Sequence, residues 1–260
     1  MNYRHIYHAG NFADVVKHIT LMILLKKLKE KDKPFAVLDA FAGLGMYDLG
    51  SEEAQKTLES DYGIRRLASC PEMTPVIQEY LDLISRCSGS YPGSPVIIAS
   101  MLRENDRMIA SELHPADYIT LKRNMYRYKN AHIHHIDAYN AIKAFCPFQE
   151  KRGLVMLDPA FEVKDEFDKI LDALTMIKKR FAGGLVMLWY PIKNRLLVNK
   201  FYADYKQIGY RETLTLEFAI KAIEGMNRCG IMITNPPDIA QELQATMKCL
   251  SITMDGEFKM

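Results

Sequence analysis

The sequence predicts a doubly wound α/β fold, in which helices cover both faces of a mostly parallel sheet of seven strands. Apolar segments of strand length alternate along the chain with segments of helical periodicity. The first apolar segment runs directly into a glycine-rich turn, as the first strand of a buried parallel sheet does. The chain has 260 residues, of which 48% are hydrophobic and 25% charged, and these values are typical of a folded globular protein.

The charge balance and the cysteines exclude several classes of protein. The chain has 34 Lys and Arg against 32 Asp and Glu, so an anionic partner requires a local basic surface. Five scattered cysteines without a C-x-x-C pair predict reduced thiols and argue against a zinc site. The longest apolar stretch, Ile19 to Leu25, is broken by Thr20, and the first residues are polar. We therefore expect a cytoplasmic monomer that does not associate with membranes.

The first helix is predicted from about Phe12 to Glu30, with Asn11 as its N-cap. Its apolar residues recur at spacings of three and four, and it ends in a lysine-rich segment that suits the negative end of the helix dipole. The strands that follow are predicted from continuous apolar runs. They are Phe35 to Leu38, Met108 to Leu113, His132 to Ile136, Leu154 to Leu157, Gly184 to Trp189, Leu214 to Ile220 and Gly230 to Thr234.

An insertion is predicted between the first and second strands. The acidic residue of the second strand, Glu112, follows the glycine turn by far more than the roughly 20 residues of a simple nucleotide-binding unit. The intervening chain contains helical patterns from Ser51 to Leu58, with Ser51 as N-cap, and from Thr74 to Ile84. A further helix is expected to begin with Ser94 as its N-cap and to run to about Leu102. We predict a single domain over residues 1–260, with a small helical subdomain inserted at residues 47–91.

Four of the predicted strands are followed by an acidic residue. These residues are Asp39, Glu112, Asp137 and Asp158. The carboxyl ends of parallel strands line the ligand crevice of an open α/β sheet, so we expect the four carboxylates to meet in one cleft. A single Asp after a strand is usually a turn or helix-cap residue, whereas four in chain order favour a functional site.

The glycine turn indicates which cofactor this cleft binds. A dinucleotide site requires G-x-G-x-x-G, but Asp48 stands where the third glycine is needed, and this disfavours NAD. The segment from Asp39 to Gly45 has the pattern D-x-F-x-G-x-G, which resembles the first motif of class I S-adenosylmethionine-dependent methyltransferases. That resemblance implies that Glu112 binds the ribose hydroxyls of the cofactor, and that Asp137, followed by Ala138, accepts a hydrogen bond from its adenine amine.

The segment Asp158-Pro159-Ala160-Phe161 resembles the fourth motif of amino-group methyltransferases. An adenine N6 amine is a poor nucleophile because its lone pair is delocalised into the ring. A carboxylate at Asp158 and the Pro159 carbonyl would accept its two N–H groups and direct the lone pair toward the methyl donor, with Asp158 as the proton acceptor. Phe161 is expected to stack on the base. A second segment, Asn235-Pro236-Pro237, lacks the aromatic residue and is predicted to be a turn after the last strand.

Several segments together resemble the RlmJ family, whose members are adenine-N6 methyltransferases of 23S ribosomal RNA. The resemblance covers most of the chain and is most specific near the N-terminus. Its segments are Tyr3-Arg4-His5, His8-Ala9-Gly10-Asn11, Ala13-Asp14-Val15, Lys17-His18, the stretch from Lys29 to Phe35, Tyr91-Pro92-Gly93-Ser94-Pro95, Glu112-Leu113-His114-Pro115 and Leu188-Trp189-Tyr190-Pro191.

The resemblance implies S-adenosylmethionine as cofactor and 23S rRNA, free of most ribosomal proteins, as substrate. It implies cofactor contacts at His18, Phe41, Gly43, Ser94, Glu112, Asp137, Ala138 and Asp158, catalytic roles for Asp158, Pro159 and Phe161, and substrate contacts at Tyr3, Arg4 and Lys17. Two residues differ from the family pattern. A His usually stands in place of Phe41, and the fourth motif is usually D-P-P-Y, so that Ala160 replaces a proline and Phe161 lacks a hydroxyl.

Alternatives remain open at this level. A methyltransferase fold that binds RNA without catalysis, and a methyltransferase of DNA or of a small-molecule amine, both fit the same motifs. Histidines 132, 134 and 135 do not have ligand spacing on a strand, so no metal site is predicted. Aromatic and basic residues alternate from Tyr118 to Lys129, and this pattern fits either a solvated basic helix face or a contact with the RNA backbone.

Overall fold

A computed structural model describes residues 4–221 and 225–260 of the chain. Ten α-helices are present in these ranges, together with two short 3-10 helices at His5–Tyr7 and Glu59–Tyr62. The α-helices are α1 (Phe12–Lys29), α2 (Glu52–Thr57), α3 (Ile64–Leu67), α4 (Pro75–Ser85), α5 (Ser94–Met101), α6 (Pro115–Asn124), α7 (Ala138–Phe145), α8 (Glu166–Arg180), α9 (Arg195–Ile208) and α10 (Ala240–Thr253). In these ranges no helix combines the length and the apolar character needed to cross a membrane.

The strands form one large sheet and one small ribbon. They are β1 (Ala36–Asp39), β2 (Met46–Tyr47), β3 (Tyr91–Pro92), β4 (Arg107–Glu112), β5 (Ala131–His135), β6 (Gly153–Leu157), β7 (Leu185–Pro191), β8 (Thr213–Ile220), β9 (Arg228–Thr234) and β10 (Gly256–Lys259). The large sheet has the order β10-β8-β9-β7-β6-β1-β4-β5, and β2 pairs with β3. Strands β5, β4, β1, β6 and β7 are parallel to one another, whereas β9 runs antiparallel between β7 and β8.

The predicted α/β class is confirmed, and each of the seven predicted strands is present within a few residues of its predicted bounds. The expected number of strands was too low, because β10 adds an eighth strand that pairs antiparallel with β8. This strand has only four residues and its side chains are half exposed. A segment this short lacks the apolar pattern on which a strand prediction depends.

The first helix, α1, begins after a capping residue and is buried along most of its length. The side chain of Asn11 accepts a hydrogen bond from the backbone N–H of Asp14 at 2.9 Å, as predicted for an N-cap. All residues from Phe12 to Leu25 are buried, including the charged Asp14 and Lys17. A helix buried on every face must pair the charges it carries, and this requirement determines the arrangement of the site described below.

The chain between β2 and β3 contains the predicted inserted helices. Ser51 caps α2 through a side-chain bond to the N–H of Ala54, as expected, and the antiparallel pair of β2 and β3 closes the segment at its base. Buried side chains of this segment, such as Ile77 and Tyr80, belong to the same core cluster as those of α1 and β1. The segment therefore shares its hydrophobic core with one face of the sheet, while α7, α8 and α9 pack on the other face.

A disulfide joins Cys70, which follows α3, to Cys249 in α10. The other three cysteines, Cys87, Cys146 and Cys229, are free and buried. The expectation of reduced thiols throughout was therefore wrong for one pair. The two residues are separated by 179 positions in the sequence, and only the packing of the insertion against the C-terminal helix brings them together.

Candidate active site

A cavity of about 1000 Å³ opens at the carboxyl ends of the parallel strands. Among the described residues, ten carboxylate side chains line it against four from Lys or Arg. The carboxylates are those of Asp14, Asp48, Glu53, Glu59, Glu112, Asp117, Asp137, Asp158, Glu162 and Glu166, and the four basic residues are Arg4, Lys17, Lys169 and Lys193. This excess of carboxylates favours a cationic ligand over an anionic one.

Three of the four predicted strand-end carboxylates line this cavity, namely those of Glu112, Asp137 and Asp158. Asp39 does not line it. In the register of the sheet, Asp39 lies opposite Ala110 of β4 and Met156 of β6. It is therefore two residues deeper in the sheet than Glu112 and Asp158, a displacement of about 6 to 7 Å along the strands.

Asp39 is fully buried, and one of its two carboxylate oxygens has a hydrogen-bond partner. Its Oδ2 accepts a hydrogen bond from the hydroxyl of Ser94 at 2.7 Å, whereas its Oδ1 has no partner among the described residues. Burial raises the pKa of Asp39 to about 7, although the bond from Ser94 opposes the rise. Ser94 was predicted to cap its helix, but it is the first residue of α5, and Gly93 holds the cap position. Its hydroxyl instead connects the cavity wall to this carboxyl group.

The glycine turn after β1 is held by Glu112. The backbone N–H of Gly43 donates to Glu112 Oε2 at 3.0 Å, and the N–H of His114 donates to Oε1 at 2.8 Å. Gly43 has a φ of +62°, and a Cβ there would lie 2.4 Å from the hydroxyl oxygen of Tyr47. Burial raises the pKa of Glu112, against the hydrogen bonds from these two N–H groups. The left-handed φ and the nearby hydroxyl favour glycine at this position, which lines the cavity.

Lys17 joins α1 to the end of β6. Its Nζ lies 2.8 Å from Asp14 Oδ1 and 2.5 Å from Asp158 Oδ2, and its side chain is 5% exposed. Asp14 also accepts hydrogen bonds from the backbone N–H of Gly10 at 2.9 Å and from His5 Nε2 at 3.0 Å. Asp14 has no predicted role from the sequence, although its position three residues before Lys17 places both on one face of the helix.

The charges of this cluster stabilise one another. Burial acts to lower the pKa of Lys17, but Asp14 and Asp158 hold it well above its ordinary value. Burial acts to raise the pKa of Asp14, but its interactions with His5 and Lys17 hold that pKa well below its ordinary value. Both carboxylates of this cluster, those of Asp14 and Asp158, belong to the cavity wall.

His18 also lies in the cavity wall, and its ring contacts two tyrosine hydroxyl groups. Its Nδ1 is 3.1 Å from the hydroxyl oxygen of Tyr80 and 3.0 Å from that of Tyr91. Burial lowers the pKa of His18 to about 3, so the ring is neutral near pH 7. It is a polar, uncharged group beside the Lys17 cluster.

The structure brings most of the predicted site residues to one cavity. The predicted residues that line it are Arg4, Lys17, His18, Phe41, Gly43, Ser94, Glu112, Asp137, Ala138, Asp158 and Pro159. Asp137 also caps α7 by accepting from the N–H of Asn140 at 3.0 Å. Tyr3 lies outside the described residues. The assigned roles of these residues stay predictions.

Phe161 is placed differently from the other predicted residues. Its ring packs at 4.9 Å from that of Phe167 and 6.2 Å from that of Trp189, and it is not part of the cavity wall. Its φ is +52°, in the left-handed region that residues other than glycine rarely adopt. In this arrangement the Phe161 ring lies outside the cavity wall, so its expected stacking on a base stays a prediction.

The second proline segment, Asn235-Pro236-Pro237, lies at the opposite end of the strands from the cavity. Asn235 follows β9, which is antiparallel to β7, and its side-chain amide donates to the carbonyl groups of Ala182 and Gly184 at 3.0 and 2.9 Å. The prediction that this segment is a strand-ending turn is therefore confirmed. The antiparallel direction of β9 removes it from the cavity.

The strand order, the antiparallel β9 and the glycine turn beside an acidic cavity define a class I methyltransferase. A family model described as "Ribosomal RNA large subunit methyltransferase D, RlmJ" matches residues 32–257. The chain belongs to this family, and the predicted resemblance is confirmed. Methyltransferases of this class use S-adenosylmethionine, so the predicted cofactor is confirmed as well.

Two curated relatives and one solved structure are similar over most of their length. The Escherichia coli (strain K12) protein named ribosomal RNA large subunit methyltransferase J is 36% identical over 245 residues, which cover 91% of this chain and 88% of that protein. The Haemophilus influenzae protein of the same name is 38% identical over 246 residues, with the same coverage. A Legionella pneumophila protein with a crystal structure has a TM-score of 0.90 and 32% identity, and the match covers 97% of each chain.

The residues of the cavity fit S-adenosylmethionine. The cofactor carries a positive sulfonium group, which suits the excess of carboxylates in the wall. The space that a Cβ at Gly43 would occupy is left open by the glycine, and the Glu112 carboxylate lies beside that turn. Glu112, Asp137 and the glycine turn are the groups that would hold it.

Replacing Glu112 with alanine should weaken the binding of S-adenosylmethionine by about 1.5 to 3 kcal/mol, or roughly tenfold or more, because a charge-assisted hydrogen bond is lost. The exposed Glu104 precedes the same strand at its other end, and Glu104→Ala is the matched control. Isothermal titration calorimetry measures both. Equal affinities for the two folded variants would show that Glu112 does not hold the cofactor.

The buried Asp39 should make the stability of the protein depend on pH. Its folded-state pKa of about 7 lies above the unfolded value of about 3.9, so its contribution is present at low pH and is lost as the pH rises through 7. Between pH 5 and pH 8 the free energy of unfolding of the parent should fall, relative to Asp39→Asn, by on the order of 2 kcal/mol. Urea titrations at both pH values measure this, with the exposed Asp172→Asn as control. Parallel pH profiles for the parent and Asp39→Asn would contradict the assignment.

Proposed function

We propose that this protein transfers a methyl group from S-adenosylmethionine to the N6 amine of an adenine in 23S rRNA. The observation that carries the proposal is the position of Asp158 and Pro159, which lie in the cavity wall at the carboxyl end of β6. The names of the two curated relatives support an rRNA substrate. The bound cofactor supplies an electrophilic methyl group on its sulfonium.

The carboxylate of Asp158 and the carbonyl of Pro159 form a pair of adjacent acceptors. An exocyclic amine of adenine has two N–H groups, and one acceptor for each would take the amine out of conjugation with the ring and direct its lone pair toward the methyl donor. Asp158 Oδ2 is already bound to Lys17, so the other oxygen, Oδ1, is the acceptor for the amine. The amine loses a proton after methyl transfer, and Asp158 is the base in position to accept it.

Lys17 acts in this proposal through Asp158. Its ammonium pairs with Asp158 and fixes the orientation of the carboxylate, because the lysine is itself held by Asp14. The family resemblance implies that Lys17 contacts the substrate, and the ion pairs favour an indirect role instead. Arg4, which is 65% exposed at the cavity mouth and lies 3.7 Å from Glu53, is better placed to meet the substrate.

We propose further that the protein acts as a monomer on rRNA that is free of most ribosomal proteins, in the cytoplasm where this RNA is assembled. Residues of one chain form the described wall of the cavity, as a monomeric active site requires. Incubation with labelled S-adenosylmethionine and unmodified 23S rRNA, DNA or free adenosine tests the substrate. Label in DNA or in free adenosine alone would favour a different amine substrate.

The two proline segments should differ in their effect on activity. Asp158→Ala should abolish methyl transfer, whereas Asn235→Ala should leave the rate within about twofold and cost on the order of 1 to 2 kcal/mol of stability through two lost hydrogen bonds. Asp158→Asn keeps the shape of the side chain, and it should also be inactive because the amide cannot accept the proton. Single-turnover rates on rRNA measure the activity of each variant, and thermal unfolding measures its stability. A folded Asp158→Asn variant with the parent rate would exclude Asp158 as the base.

Restoring the proline at position 160 should change the rate little. The ring of a proline mainly restricts the unbound backbone, an effect of about 0.4 to 1 kcal/mol where the dihedral angles allow proline. Ala160→Pro should therefore methylate rRNA within about fivefold of the parent rate. A parent that binds cofactor without transfer, and that gains a hundredfold or more from the proline, would show that the present chain is not an active methyltransferase.

A further inference from the structure

The acidic cavity cannot by itself hold an RNA backbone. Ten carboxylates line it in the described part of the chain, and phosphate groups carry the same sign of charge. Binding to RNA depends largely on phosphate contacts with Lys and Arg. The affinity for an RNA substrate must therefore come from a basic surface outside the cavity.

An exposed surface beside α6 is rich in basic side chains. It consists of Arg86, at the end of α4, and of Lys122, Arg123, Arg127 and Lys129, in and after α6, and we call it the α6 basic surface. Within residues 4–221 and 225–260, none of these five side chains forms a salt bridge. Arg86 directly precedes Cys87 in the chain; burial raises the pKa of the Cys87 thiol, and the charges of Arg127 and Arg86 oppose that rise.

Basic residues near the other end of the sheet have acidic partners. Arg195 forms two hydrogen bonds with Glu217, at 2.6 and 2.8 Å, and Lys221 lies 2.6 Å from Asp255. Arg228 lies 3.5 Å from Glu257. These pairs neutralise most of the local charge, whereas the α6 basic surface keeps its own.

Exposed aromatic and apolar side chains accompany the charges. Tyr126 is 86% exposed and Ile119 is 65% exposed. The guanidinium of Arg127 lies 4.9 Å from the ring centre of Tyr128. Aromatic rings and guanidinium planes on a basic surface are the groups on which unpaired bases of RNA stack. A merely solvated helix face does not require a tyrosine this exposed.

The α6 basic surface adjoins the cavity. Asp117, in the first turn of α6, lines the cavity, and the side chain of Asn124, the last residue of α6, donates to the carbonyl of Leu44 in the glycine turn at 2.8 Å. Ten residues of α-helix span about 15 Å. A few nucleotides of RNA cover that distance.

We propose that the α6 basic surface binds the phosphate backbone of the rRNA substrate while the target base enters the cavity, with Tyr126 as a stacking platform for a neighbouring base. The inference rests on the proposed rRNA substrate. It assigns a binding role to five basic residues and one tyrosine that the proposed catalytic mechanism does not use.

A fourfold variant tests the electrostatic part of this proposal. Arg86, Lys122, Arg123 and Lys129 are each replaced with Gln, which removes four charges and keeps helix propensity. The matched control replaces four exposed lysines on other helices with Gln, at Lys56, Lys179, Lys206 and Lys248. The measurement is the affinity of each protein for in vitro transcribed, unmodified 23S rRNA at several salt concentrations, together with thermal unfolding and the affinity for S-adenosylmethionine.

The fourfold variant should bind the rRNA at least about 30-fold more weakly near 0.1 M salt, and the slope of log K against log salt should fall by about 1.5 or more, because two or more phosphate contacts are lost. The control variant should change by less than about threefold. Both should keep the parent's affinity for S-adenosylmethionine within about twofold. Equal losses in the two variants, or a parent-like slope in the fourfold variant, would overturn the proposal.

Tyr126→Ser separates stacking from charge. It should weaken rRNA binding by about fivefold or more while leaving the salt slope unchanged, because no charge is removed. Unchanged rRNA affinity in this variant would refute the role of Tyr126. RNA binding is measured here without methyl transfer, so a parent that binds rRNA through this surface but does not methylate it would refute the proposed function and leave the binding surface intact.

Discussion

The buried ion pairs of Lys17 with Asp14 and Asp158 are the interaction on which the candidate active site depends. They connect the first helix to the end of β6, and through His5 they reach the N-terminal segment. Removing one partner of a buried pair typically costs about 3 to 5 kcal/mol, because the remaining charge has no compensation. The cluster therefore couples the position of α1 to that of the Asp158 carboxylate, and neither can shift without the other.

The direction of each strand determines which of two similar segments lies at the cavity. Asp158 and Asn235 each follow a buried strand and precede a proline, but β6 is parallel to its neighbours whereas β9 is antiparallel to β7. Asp158 consequently lies at the ligand edge of the sheet, and the Asn235 amide is occupied by two carbonyl groups at the opposite edge. The chemistry available at each segment follows from that placement more than from its residues.

The cofactor and RNA carry charges of opposite sign, and separate surfaces of the protein match them. The carboxylates of the cavity suit a cationic cofactor, and the unpaired lysines and arginines beside α6 suit an anionic RNA. A net charge of +2 conceals this division, because acidic and basic residues are almost equal in number. The same division explains why composition alone neither indicated nor excluded a nucleic-acid partner.

The sequence by itself determined the features that depend on local pattern. The seven strands, the caps at Asn11 and Ser51, and the acidic residues after the parallel strands all follow from periodicity and residue type within a few positions. Tertiary structure decided the contacts between distant segments. The pairing of Lys17 with Asp158 spans 141 positions, the register of β1 buries Asp39 below the cavity, and the disulfide spans 179 positions. A hydrophobic pattern specifies which side of a strand or helix is buried, but the packing of whole elements specifies which side chains then meet.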